Sequence, residues 1–82
     1  MRVQMRFVPR ELFQQIPDGD FEFQIASSIF ECVERYAADH GVTIHEDWAK
    51  KYIFMQNNKP VKISETATDG SDITILHTMM GG

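Results

Sequence analysis

Gly81-Gly82 closes the sequence shortly after the β-prone run Ile73-Thr74-Ile75-Leu76, and no other group of residues in the chain is as well suited to chemistry. A glycine carboxylate at a terminus is the least hindered that a protein can present. A dipeptide without Cβ atoms can also thread a narrow channel in another enzyme. The expectation is a terminus used as a substrate, with Gly82 as the reacting residue and Gly81 as its slim approach. The glycines alone fit a plain tail equally well, since a terminal pair arises by chance in about 0.5% of chains at average glycine usage.

The remaining reactive side chains do not assemble into a site. His40, His45 and His77 are scattered, with no carboxylate or cysteine at a recurring ligand spacing, so no metal centre is expected. His45-Glu46-Asp47 are consecutive, and consecutive residues do not face one another on a helix or strand, which reads as a solvated loop. Ser27, Ser28, Ser64 and Ser71 stand at cap or turn positions where their hydroxyls bond the local backbone. Cys32 falls on an apolar helical stripe with no activating neighbour and reads as a packing residue. Neither Asp69-Gly70 nor Gly81-Gly82 is followed by the Lys-Ser/Thr of a phosphate loop. A self-contained enzyme is therefore the least favoured reading.

Composition narrows the partners. Eighty-two residues, 43% hydrophobic and 24% charged, make one small globular domain. A single cysteine rules out an internal disulfide and is consistent with a reducing cytoplasm. Eight basic residues against twelve acidic ones give a net charge of −4 with no Lys/Arg cluster, so nucleic acid is not an expected partner. The N-terminus has no apolar stretch long enough for a signal peptide or a membrane helix. By net charge, the chain suits a partner with a basic docking face.

Elements follow from periodicity. Val3, Met5 and Phe7 alternate with Arg2, Gln4 and Arg6, a half-buried strand that Pro9 stops. Asp18-Gly19 marks a turn into a second strand over Phe21–Ile25, pairing with the first as a hairpin with a long loop. Ser28 and Glu31 form a capping box ahead of Ile29, Cys32, Val33, Tyr36 and Ala37 at helical spacing, and Gly41 is the C′ residue. The segment Val42 to Lys51, centred on Trp48, shows no clear period and has room for a short helical turn. Tyr52–Gln56 and Lys59–Ile63 flank an Asn57-Asn58 turn, with Pro60 marking an edge strand. After the turn Asp69-Gly70-Ser71-Asp72, a last strand runs from Ile73 to about His77. Strand, strand, helix, strand, strand, strand is the order of a β-grasp: an α+β fold with a mixed sheet of four to five strands and one main helix. The expected division is a β-grasp domain over 1–78 and a flexible tail over 79–82.

On this framework Gln56-Asn57-Asn58-Lys59-Pro60-Val61, Thr68-Asp69-Gly70-Ser71-Asp72-Ile73-Thr74-Ile75-Leu76 and the closing Gly81-Gly82 resemble the C-terminal half of the ubiquitin-like sulfur carriers. These are the small subunit of molybdopterin synthase and the thiamine-pathway sulfur carrier. The opening Arg2 to Leu12 also looks like the first strand and loop of the molybdopterin-synthase small subunit, whereas Gln14 to Lys51 matches only in pattern. His77-Thr78-Met79-Met80 and Ser71-Asp72 depart from the family's usual residues. Chain length and the long stretch between the helix and the third strand look more like the molybdopterin type than the shorter thiamine type.

The resemblance implies a co-substrate rather than an enzyme. A partner resembling the ubiquitin-activating enzymes would use ATP and Mg²⁺ to adenylate Gly82, and sulfur would replace the adenylate to leave a thiocarboxylate. The large subunit of a sulfur-accepting synthase would be the second partner, and the carrier itself would bind no cofactor. Leu76 faces outward if Ile73 and Ile75 face the core. With Pro60, Met79 and Met80 it would form an apolar docking patch, methionine adapting well to more than one partner. The alternative is Leu76 covered by the Val42–Lys51 segment. Two other functions share the fold: a ubiquitin-like modifier joined to protein lysines through Gly82, and an interaction module that does not use its terminus.

Overall fold

A computed structural model of the chain describes residues 1–77, so Thr78, Met79, Met80, Gly81 and Gly82 lie outside the described residues, and with them the division into domain and tail. In β1 (Arg2–Val8) the polar and apolar alternation is reproduced as strict alternation of exposure, with Val3, Met5 and Phe7 0–1% exposed. The hairpin partner β2 spans Gly19–Glu22 rather than Phe21–Ile25. Pairing begins at Gly19 opposite Met5 and ends at Glu22 opposite Arg2, and Ile25 is left 75% exposed.

Gly19 is thus inside the strand and not in a turn. A Cβ there would stand 2.8 Å from the Tyr36 hydroxyl, which itself donates to the Pro17 carbonyl at 2.6 Å. Close approach, not turn geometry, is what demands glycine at this position. Asp18 staples the long loop instead, its Oδ1 accepting from the Phe7 amide and from Arg10 at 2.9 Å. Arg10, in the short 3₁₀ turn Arg10–Leu12, also donates to the Phe13 and Ile16 carbonyls.

The helix α1 (Ile29–Asp39) starts at the expected capping box. The Glu31 amide donates to the Ser28 hydroxyl, and the Ser28 amide donates back to the Glu31 carboxylate. It stops at Gly41, where φ is +81°, with the Gly41 and Val42 amides turned back onto Ala38 and Ala37. That is a Schellman ending, which satisfies carbonyls the last turn would leave open. Ile29, Cys32, Val33 and Ala37 are fully buried on the sheet, and Tyr36 stacks on Phe7 at 5.9 Å.

Residues 46–49 form the one-turn helix α2 (Glu46–Ala49), so Glu46 and Asp47 are helical rather than in a loop. Trp48 packs against Phe13, Tyr52 and Phe54. β3 (Tyr52–Gln56) and β4 (Lys59–Val61) join through Asn57 and Asn58, both at positive φ, the geometry of a two-residue hairpin turn. β4 ends at Val61, two residues short of the expected limit, and is an edge strand as Pro60 implied. β5 (Asp72–His77) lies parallel to β1 and antiparallel to β3.

The sheet order is β2-β1-β5-β3-β4, a mixed five-stranded sheet with α1 across one face. This is the expected β-grasp. Parallel pairing of the first and last strands brings the root of the C-terminal segment to the middle of the sheet, flanked on both sides.

Candidate functional site

Paired residues across a ladder share a face, so the registers assign every strand position to the helix side or to the open side. Ile73 and Ile75 of β5 pair with Met5 and Phe7 of β1 and are fully buried on the helix side. Thr74 and Leu76 therefore belong to the open face. There Leu76 stands between Val8 of β1 and Ile53 of β3, giving an apolar row of three residues across three adjacent strands. Val8 and Ile53 are 42% and 41% exposed, and Leu76 is half-buried between them. One step back along the strands, Arg6, Thr74, Met55 and Pro60 form the next row.

Of the six site residues expected from the sequence, Leu76 and Pro60 are brought to this one face. Gly81, Gly82, Met79 and Met80 lie outside the described residues. Leu76 is not covered by the Val42–Lys51 segment, because Trp48 packs on Tyr52 and Phe54, which point to the helix side of β3. Val8, Met55 and Ile53 complete the patch and were not singled out from the sequence. The signal for Val8 was present: it continues the polar phase Arg2, Gln4, Arg6 and is the only apolar residue in it.

At the same end, on the helix side, Tyr52 pairs with His77 and the two rings meet edge-on at 5.5 Å. Tyr52, Trp48, Phe13, Leu12 and Val42 line a shallow cleft of about 320 Å³ beside the end of β5. The end of β5 thus has the apolar row of Leu76 on one face, and on the other the Tyr52 side of a mixed cleft whose lining also includes Glu11, Gln14 and Gln15.

Among the described residues, no group of three His, Cys, Asp or Glu side chains is placed to hold a metal ion. Burial pushes the Cys32 thiol up to about 11, with Arg35 only partly opposing it, so it is a core residue and not a nucleophile at neutral pH. Asp18, the most heavily bonded carboxylate, is occupied by the Phe7 amide and Arg10. No described helix is long and apolar enough to cross a membrane. An exposed apolar row on an open sheet face is chemically suited to contact with another surface.

Two solved structures match the whole chain over their own whole length. One is SAMP1 from Haloferax volcanii, at 8% sequence identity and a TM-score of 0.64. The other is a chain from the complex of subunits 1 and 2 of molybdopterin-converting factor from Helicobacter pylori 26695, at 18% identity and a TM-score of 0.54. No protein-family model and no curated protein matches the sequence. At these identities the likeness is one of fold, and it establishes that the chain folds as a ubiquitin-like β-grasp domain.

Proposed function

We propose that this chain is a ubiquitin-like sulfur carrier. The observation that carries the reading is the apolar row Val8, Leu76, Ile53 near the end of β5, Leu76 standing six residues before Gly82. Those six steps reach at most about 22 Å when extended, so a partner that grips the row holds Gly82 within a defined radius of its own active site. Docking and delivery are then one event.

The carboxylate of Gly82 is a poor electrophile, and a partner enzyme must activate it. Its oxygen attacks the α-phosphorus of ATP, held with Mg²⁺ by the partner, and pyrophosphate leaves. A sulfur nucleophile adds to the acyl carbon of the adenylate and AMP departs, leaving sulfur in place of one oxygen. The carrier contributes the unhindered glycine and the docking face, while the partner supplies transition-state stabilisation. The thiocarboxylate then gives its sulfur to a cofactor precursor in the cytoplasm, held by the large subunit of a synthase. Chain length and the long stretch between α1 and β3 support the molybdopterin type over the thiamine type.

ATP–pyrophosphate exchange catalysed by the host's adenylating enzyme tests the reading. The full chain should stimulate exchange, and a chain extended by one residue after Gly82 should not. Exchange indifferent to the extension would mean that the terminus is not the substrate, as for a plain interaction module. Isopeptide conjugates in the native host in place of a thiocarboxylate would assign Gly82 to protein modification instead.

A further inference from the structure

The open face separates its charges along the strands. Beyond the row Val8, Leu76, Ile53 and the row Arg6, Thr74, Met55, Pro60 come Asp20, Gln4 and Asp72, then Glu22 and Arg2. The two apolar rows contain no carboxylate. Lys51, immediately before β3, and Lys62, immediately after β4, are exposed, and each stands two residues along the chain from an open-face position, Ile53 and Pro60 respectively. Arg6, Lys51 and Lys62 thus border the apolar centre, and among the described residues none of them is in an ion pair. The acids gather at the far end. There Arg2 bridges Asp20 and Glu22, and Asp69 accepts from the Arg2 amide.

Distance decides which charges a docking partner senses. Asp72 lies four residues along β5 from Leu76, about 13 Å at a strand rise of about 3.3 Å per residue. At physiological ionic strength exposed charges are screened over about 8 Å. Arg6, Lys51 and Lys62 each lie within about two residues along the strands of the row of Leu76, half the separation of Asp72, so a partner seated on that row meets cations before it meets the acidic end. The net charge of −4 does not describe this face.

We infer that the adenylating enzyme docks through an apolar centre bordered by carboxylates, matched to Arg6, Lys51 and Lys62 around Val8, Leu76 and Ile53. This is the reverse of the basic docking face that the overall charge suggests. The identity of the partner rests on the carrier reading, and the inference adds the chemistry of its surface. Unpaired guanidinium and ammonium groups at the edge of an apolar patch gain more from carboxylates than from neutral groups. They also repel a basic surface, so they select among candidate partners as well as steering them.

The test is calorimetric binding of the host's adenylating enzyme to the wild-type chain, to Arg6→Glu/Lys51→Glu/Lys62→Glu and to Asp20→Lys/Glu22→Lys, each checked for unchanged melting. The rim variant should bind at least about tenfold more weakly, and the acidic-end variant within about twofold of wild type. Raising salt from about 50 to about 500 mM should weaken the wild type and level the difference. Adenylation with a rim variant that binds normally, or weakened binding only in the acidic-end variant, overturns this inference and leaves the carrier reading standing. Absence of wild-type binding and exchange overturns both.

A second measurement needs no variant. Relaxation of amide protons by an anionic paramagnetic chelate should exceed that by a cationic nitroxide at Arg6–Val8, Ile53–Met55 and Thr74–His77. The order should reverse at Asp20–Glu22. Equal effects of the two probes over the apolar rows would remove the charge basis of the inference.

Discussion

Leu76 lies directly beside Val8 on the parallel strands β5 and β1, on the face that the helix leaves uncovered. The strand neighbour Ile75 points the other way and is fully buried against Phe7. Two successive residues thus divide the proposed docking face from the core, and a matched pair of substitutions can tell the two roles apart.

Leu76→Asp should weaken docking to the adenylating enzyme by at least about tenfold, because a carboxylate would be desolvated at the centre of an apolar contact and would sit among groups the partner meets with its own carboxylates. Its melting temperature should fall by only a few degrees, since Leu76 is partly exposed and lies outside the buried core. Ile75→Ala should do the opposite, costing about 2–4 kcal/mol of stability through lost burial and a cavity. Calorimetry and thermal melts on the two variants check this, and global unfolding of Leu76→Asp would place Leu76 on the wrong face.

Gly19→Ala should cost about 1–3 kcal/mol, because the added Cβ would meet the Tyr36 hydroxyl at 2.8 Å. Without that hydroxyl the nearest ring atom is 3.8 Å away, an ordinary contact. In a Tyr36→Phe background the same substitution should therefore cost less than about 0.5 kcal/mol, and denaturant unfolding of the four chains measures the coupling. Equal costs in both backgrounds would mean that some other neighbour excludes a side chain at Gly19.

These cases show what the sequence discloses and what it withholds. The phase of β1 and the capping box of α1 are local patterns, and both are legible in a few consecutive residues. The β2 start was not, because Asp18-Gly19 has the composition of a turn while the reason for Gly19 is a tyrosine seventeen residues on. Tyr52-Ile53-Phe54-Met55 is apolar throughout and shows no phase, so Ile53 could not be assigned a face until the Asn57-Asn58 turn fixed Gln56 opposite Lys59. Leu76 was legible from its own strand. The outward phase of Val8 was legible in β1 as well, but its place beside Leu76 and Ile53 was not, since only the sheet order sets three distant residues in a row.

Ser28→Ala should destabilise the fold by about 1 kcal/mol through loss of the N-cap. The Ser28 amide and then its hydroxyl hold the Glu31 carboxyl below its ordinary value of 4.5. The folded chain thus binds this proton less readily than the unfolded chain. The contribution is complete above the unfolded value and is lost as pH falls through the lower, folded one. The stability gap between wild type and Glu31→Ala, measured by thermal melts, should accordingly narrow below about pH 4.5. A gap independent of pH would mean that the charge on Glu31 plays no part in the cap.

Cys32 should resist iodoacetamide in the folded chain at neutral pH, since its thiol is buried and pushed up to about 11. Labelling should appear only with denaturant, tracking unfolding. Rapid native labelling, followed by mass, would show that the core opens around α1.

Deleting Gly82 should leave the melting temperature unchanged and abolish sulfur loading. The remaining carboxylate, on Gly81, falls short by up to about 3.6 Å of the position where adenylation occurs. Loading of the shortened chain at Gly81 would separate the carrier role from the length of the terminal segment.

The central claim is that Gly82 becomes a thiocarboxylate, and intact-mass spectrometry of the chain after incubation with the host's adenylating enzyme, ATP, Mg²⁺ and a sulfur donor tests it most directly. The expected result is a species in which sulfur replaces one oxygen, localised to Gly82 by fragmentation and absent when ATP is omitted. An unchanged mass with an enzyme that adenylates its other substrates, or sulfur found on Cys32 in place of Gly82, would contradict it.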